Sequence, residues 1–208
     1  MRLLIAGAGG HGRVVADAAE TSAEGWTEIA FVDDRYPELS SVGSWKVVGT
    51  FGDLVRLQSH YEACIAAVGD PRLRLELLER LRSTGYRVPV IAHPRASLSR
   101  HVIIDGGTFI AAGAVVNIGC EVRVGCIINT GATVDHDCRL GAGVHICPGA
   151  HLAGSVQVGS RTWFGIGAVA RQGIRIGMDV TVGAGAVCLQ DVHDGAVVVG
   201  APAREQGA

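Results

Sequence analysis

The chain carries two hydrophobic rhythms. Up to residue 94, short apolar runs alternate with stretches of helical spacing. Residues 3–7 (LLIAG) are apolar and end in glycine, and residues 11–22 read as a helix. Residues 29–34 (IAFVDD) form a second apolar run closed by two acids, and residues 46–49 a third. Residues 51–58 have helical spacing, and 63–69 (ACIAAVG) is a strand of the fully buried type. The clearest helix is 71–85 (PRLRLELLERLRSTG), with Pro in its first turn, a repeating leucine face and Gly at its end. Residues 88–91 (VPVI) are expected to close the set. Strands alternating with helices predict a small parallel α/β sheet.

After His93 and Pro94 the helical spacing vanishes, charge thins and glycine becomes frequent. Stepping by six from Leu98 through Val134 and Leu152 to Cys188, every residue is hydrophobic. With 48% hydrophobic residues overall, chance would produce such a run about once in twenty thousand chains, so the period is a genuine repeat. Four residues after each of these, from Val102 to Ala186, the side chain is always Val, Thr, Ala, Cys or Ile. Each hexad thus has two inward positions, and the second takes only small side chains. This pattern predicts a hexapeptide parallel β-helix over 95–208. Three hexads make one triangular lap, and laps stack at ~4.8 Å, the spacing of paired strands. No insertion breaks the register between 98 and 188.

Composition narrows the function. A net charge of −2 with scattered Lys and Arg excludes a general nucleic-acid binder, which needs a basic face. The N-terminal run, MRLLIAGAGG, is too short for a signal peptide, and nothing approaches membrane-spanning length. Six cysteines without an export signal read as reduced thiols, so a cytoplasmic setting is expected.

Two stretches carry candidate chemistry. The first is VDHDCR, 134–139. A lap is eighteen residues, so His136 stacks between Ile118 and Gly154. It is the third residue of its hexad, near a corner, and its ring can point outward. Gly154 leaves room beside the ring and exposes an N–H. A base beside a bare amide suits acyl transfer: one takes the proton of the nucleophile, the other receives charge on the carbonyl oxygen. Either Asp135 or Asp137 can orient the imidazole. An isolated His on a corner is in most cases a solvated or interface residue, so register alone leaves the matter open. Zinc would need about four converging ligands. Cys120, Cys126 and Cys138 occupy inward slots, and His145 and His151 fall on successive faces, so no metal is expected.

The second stretch is GAGGHG, 7–12, a GxGxxG between a strand and a helix. Its glycines let a phosphate approach, and the helix N-terminus favours negative charge. Asp33 and Asp34 end the next strand, where carboxylates can accept bonds from a ribose or base, and His11 can add another contact. The sheet is too short for a complete dinucleotide fold, which favours a mononucleotide or nucleotide-sugar.

Taken together, the GAGGHG turn, the Asp33–Asp34 pair, the hexapeptide helix, the stretch from Asn129 and Thr130 to Asp135–Asp137, and the terminal GAPAR (200–204) resemble bacterial sugar O- and N-acetyltransferases. These include the sialic-acid O-acetyltransferase-like proteins and the enzymes acetylating UDP-4-amino-sugars or GDP-perosamine. The resemblance spans the chain. It implies a Rossmann-like nucleotide-sugar-binding domain over 1–94 and a left-handed β-helix acetyltransferase domain over 95–208. It implies a homotrimer with acetyl-CoA held between neighbouring helices, and transfer of acetyl to the amino group of a nucleotide-linked deoxysugar in surface-glycan synthesis. In that picture His136 is the general base, Asp137 its orienting acid and Gly154 the amide donor to the thioester oxygen. The cofactor contacts are Asn129, His145, Ile166 and Ala184. The nucleotide-sugar contacts are Gly9, Gly10, His11, Asp33, Asp34 and Gly69. Competing readings are sugar or sialic-acid O-acetylation, a β-helix binding module, and a zinc lyase.

Overall fold

The structure, a computed structural model, describes residues 1–206; residues 207 and 208, the end of the second expected domain, lie outside the described residues. The chain divides after Pro94 into two compact units.

The first unit runs β1 (Arg2–Ala6), α1 (Gly10–Thr21), β2 (Glu28–Val32), β3 (Ser41–Val42), β4 (Trp45–Val47), α2 (Leu54–Leu57), β5 (Ala63–Ala66) and α3 (Pro71–Thr84). Its sheet has the order β3-β4-β2-β1-β5. Strand β1 lies between β2 and β5, parallel to both. Leu3, Leu4, Ile5 and Ala6 are fully buried, as expected of a parallel strand covered on both faces. Helix α3 starts where Asp70 caps the N–H of Leu73 at 2.7 Å and Pro71 fills the first turn. It stops at Gly85, whose φ of 92° only glycine adopts cheaply.

Three features depart from expectation. Strand β3 is an antiparallel edge partner of β4, joined through Gly43 at φ 60°, so the sheet is not wholly parallel. The helical stretch at 51–58 is a 3₁₀ turn, Phe51–Asp53, running into a single α-helical turn. The strand expected at 88–91 does not join this sheet. Only an isolated parallel bridge links Ala63 to Arg87, because Pro89 has no N–H to extend the ladder, and the short strand that does form, Ile91–Ala92, lies outside this sheet.

The second unit is the β-helix. Two-residue strands recur every six residues from Ser97–Leu98 to Val187–Cys188. Partners lie one lap apart: Val116 pairs with Val134, Val134 with Leu152, and Leu152 with Ala170. The second residue of each strand is the hexad residue read from the sequence. From Ile110 to Cys188 these side chains are buried, as are the small residues four positions on, Ala114 to Ala186. Leu98, on the terminal lap of the stack, is 36% exposed.

Each corner needs one residue in the left-handed region. From residue 107 to 185 that residue recurs every six. It is Gly at 107, 113, 119, 125, 131, 143, 149, 167, 173 and 185, and it is Asp137, Ser155, Arg161 and Asp179 at the other four positions, with φ between 55° and 62°. Side chains at such angles cost stability, so these four positions call for an explanation.

Candidate active site

The corner after Val134 builds the first site. The strand ends with Val134 inward, and the turn throws the three polar residues outward. His136 has 54% of its side chain exposed. Its Nδ1 lies 2.9 Å from Asp137 Oδ2. Asp135 faces elsewhere: its Oδ1 accepts the His136 backbone N–H at 2.7 Å and the Asn117 amide at 2.9 Å. One acid therefore holds the ring and the other holds the turn. Asn117 sits one lap below Asp135 and holds that carboxylate below its usual range, with help from the backbone N–H.

A carboxylate only accepts, so Nδ1 carries the proton and Nε2 offers a lone pair outward. The hydrogen bond to Asp137, with the charges of Asp135 and Asp137, raises the proton affinity of His136 above that of an ordinary histidine. The imidazole lies against Gly154. A Cβ built there would stand 2.4 Å from Nε2, 2.5 Å from Cε1 and 3.0 Å from Cδ2. The N–H of Gly154 makes no hydrogen bond among the described residues. Cys138 faces inward, fully buried, and its thiol donates to the carbonyl of Ala153 at 3.2 Å.

The residues expected to hold the cofactor lie elsewhere on the helix. Asn129 and His145 are joined by an Nδ2–Nε2 contact of 3.1 Å. His145 is buried, its ring edge-on to Trp163 with centroids 4.3 Å apart. Ile166, 61% exposed, and Ala184 stand one lap apart on one corner. That corner and the His136 corner bound the same face of the prism, the ladder running through Thr133, His151 and Val169. Six residues of extended chain, at most about 20 Å, separate the two edges. A cavity of about 480 Å³ lies on this face, lined by Asn117, Thr133, Asp135, His151 and Val169 among others. Within one chain, then, the His136–Asp137–Gly154 set and the Ile166–Ala184 set do not meet. His145 and His151 belong to different ladders. Among the described residues no cluster of His, Cys, Asp or Glu is arranged to hold a metal, and the six cysteines form no disulfide with one another.

The second site is in the first unit. Gly9, Gly10, His11, Asp33, Asp34 and Gly69 all line one cavity of about 420 Å³. The glycines have distinct reasons. Gly7 turns the chain at φ 113°, and a Cβ on Gly12 would stand 2.0 Å from the Gly7 carbonyl oxygen. Gly9 and Gly10 have nothing within 4 Å of a built Cβ and leave the N-terminus of α1 open to the cavity. Asp33 turns out to be engaged by its own chain. It accepts the Ala8 N–H at 2.8 Å and the Arg35 guanidinium at 2.7 and 2.9 Å. The Arg35 bonds, aided by the Ala8 and Arg35 backbone N–H groups, hold its carboxyl down at about 2. Asp34 accepts the Phe51 N–H at 2.9 Å through Oδ1, and its other oxygen has no partner among the described residues. Burial first, and the Arg74 charge second, lower the His11 pKa to about 4, so its imidazole is neutral at pH 7.

Arg74 was not anticipated. It is fully buried on α3, and its guanidinium donates to the carbonyls of Val68 and Gly69 at 2.8 and 2.7 Å, fixing the cavity rim. Its position was a usable signal. Residues 74, 77, 78 and 81 share one helix face, and three of them are leucines of the core. Asn117 was equally accessible by counting one lap back from Asp135.

A hexapeptide β-helix with an exposed, acid-oriented imidazole against a glycine whose N–H is unengaged among the described residues, in a chain that also carries a Rossmann-like unit with a glycine-rich cavity, defines a hexapeptide-repeat acyltransferase. Residues 2–81 match the PglD N-terminal domain. The acetyltransferase domain of PglB from Neisseria gonorrhoeae, solved with acetyl coenzyme A, is 43% identical, with a TM-score of 0.95 over 99% of this chain and 98% of that one. PerB from Caulobacter crescentus, solved with CoA and GDP-perosamine, is 38% identical, with a TM-score of 0.94 over 100% of this chain and 98% of that one. WeeI from Acinetobacter baumannii, 20% identical with a TM-score of 0.77 over 99% of this chain and all of that one, shares the fold. The chain belongs to this family of bacterial sugar N-acetyltransferases, acetyl-CoA-dependent acyltransferases whose β-helix is left-handed. Among the described residues no helix is long and apolar enough to cross a membrane.

Proposed function

We propose that this protein transfers the acetyl group of acetyl-CoA to the amino group of a nucleotide-linked amino-deoxysugar, by direct attack with His136 as general base. The observation that carries the reading is the corner where the His136 ring, held through Nδ1 by Asp137, packs against Gly154. The sugar nitrogen attacks the thioester carbon and a C–N bond forms. The Gly154 N–H meets the charge on oxygen, and Nε2 takes a proton from nitrogen. As the C–S bond breaks, the thiolate of CoA leaves and is reprotonated. General-base assistance of this kind contributes ~10²–10⁴-fold, and holding amine and thioester together supplies more.

The relatives point the same way: PglB was solved with acetyl coenzyme A, and PerB with CoA and GDP-perosamine. Structures also exist of PerB variants in which one histidine is replaced by Asn or Ala. The nucleotide part would sit in the cavity of Gly9, Gly10, His11, Asp34 and Gly69, with Asp33 bracing its glycine loop. Asn129, His145, Ile166 and Ala184 would serve acetyl-CoA. They stand away from His136 within one chain, so the reading includes a homotrimer in which one protomer's cofactor edge meets its neighbour's base. The six reduced thiols fit a cytoplasmic enzyme. O-acetylation of a sugar is the weaker alternative, since a perosamine N-acetyltransferase is so similar a relative. A binding module or a zinc lyase has no comparable support.

The test mixes the protein with acetyl-CoA and UDP-, GDP- or dTDP-linked 4-amino-4,6-dideoxysugars and follows free thiol. One of these should release thiol, and the matching 4-hydroxy sugar should not. His136→Ala should lose more than tenfold while light scattering still reports a trimer. A smaller loss removes His136 from the role of base.

A further inference from the structure

The left-handed corners single out one more residue. At fourteen successive corners the strained position is glycine ten times. Three of the four exceptions are explained by what their side chains hold. Asp137 holds the His136 ring. Arg161 and Asp179, one lap apart, form a two-pronged ion pair with contacts of 2.9 and 2.5 Å. Ser155 has no such account. It is exposed, at φ 62°, and its hydroxyl makes no hydrogen bond among the described residues; only its backbone N–H is engaged, by the His136 carbonyl at 2.8 Å. Serine is not among the residues that visit this conformation readily, as Asn and Asp are. Strain that nothing in the chain repays is characteristic of positions whose side chain meets a ligand.

Its place says which ligand. Ser155 follows Gly154, whose N–H is also without a partner, and it stacks one lap above Asp137. Gly154 lies against the imidazole, and the Ser155 hydroxyl is a second unengaged donor on the next residue of the same corner. We propose that the Ser155 hydroxyl is a second hydrogen-bond donor to the acyl oxygen, acting beside the Gly154 N–H as negative charge develops there. This rests on the acyl-transfer reading given above. A donor aimed at the developing oxyanion acts in the transition state more than in the ground state, and so lowers kcat when removed.

The test uses the full chain with Ser155→Gly and Ser155→Ala, and His136→Ala in parallel. Glycine is what ten other corners carry, so the fold of Ser155→Gly is not at risk, and relief of strain should raise its Tm by about 2–4 °C. Both Ser155 variants should lose about 10- to 100-fold in kcat with KM for acetyl-CoA and sugar within twofold. Unchanged kcat in either variant, or a rise in KM alone, overturns the assignment. If the parent chain releases no thiol with acetyl-CoA and the amino-sugars, the acyl-transfer reading itself fails; if the parent turns over and His136→Ala is impaired while the Ser155 variants are not, only the Ser155 assignment fails.

Discussion

Gly154→Ala is the sharpest probe of the corner. The added methyl carbon would stand 2.4 Å from His136 Nε2, whereas ordinary contact begins at 3.4 Å, so the ring must retreat by about 1 Å. The Nδ1 bond to Asp137 must give in that retreat, and little else opposes it, because the side chain is 54% exposed and turns about its own bonds. Gly154 is also outside the left-handed region, so alanine fits its backbone. The expected result is a stable protein, with Tm within about 3 °C of the parent, whose base is misplaced. A 1 Å error at a reacting group costs ~10²-fold in rate, or about 2.7 kcal/mol of barrier. The assay is thiol release at saturating acetyl-CoA, run also in the His136→Ala background, where the alanine should have little left to remove. Activity within threefold of the parent would refute the reasoning, as would an equal loss with and without His136.

Other expectations follow from the same contacts. The Asp137 bond raises the pKa of His136, and a general base works only when unprotonated. The acid limb of kcat/KM should therefore inflect above 6.5. Asp137→Asn, which tolerates the corner's φ, should shift that limb to lower pH and cut the plateau about tenfold, seen in a pH–rate profile. Asp33 is lowered from 3.8 to about 2 in the folded protein. Its contribution to stability is thus complete above pH ~4 and lost as pH falls toward 2. Asp33→Asn should remove about 2 kcal/mol at neutral pH, measured by urea unfolding. The His11 ring, with its pKa near 4, should show no titration between pH 5 and 8 by NMR, whereas an exposed histidine would titrate near 6.5.

Much of this protein was legible along the chain. A repeat of six with a strict inward slot determines a β-helix, because one misplaced residue would turn an apolar side chain out of the prism. Eighteen residues per lap then set His136 against Gly154 by count alone. The glycine turn and the acid pair at the end of β2 were readable for the same reason: they are local rules of strand, turn and helix N-terminus. What the chain alone left undecided depended on side-chain direction and on partners distant in sequence. Asp135 and Asp137 flank the histidine symmetrically in the text, and only the corner's backbone sends one carboxylate to the ring and the other to Asn117 and a main-chain N–H. Asp33 read as a ligand for a nucleotide, yet the sheet brings Ala8 and Arg35 to it first. Arg74 is one of several charges on its helix, and only tertiary packing buries it against the rim carbonyls of Val68 and Gly69. Periodicity is a property of neighbours along the chain, while the pairing of a polar atom is settled by whichever group the fold brings within 3 Å.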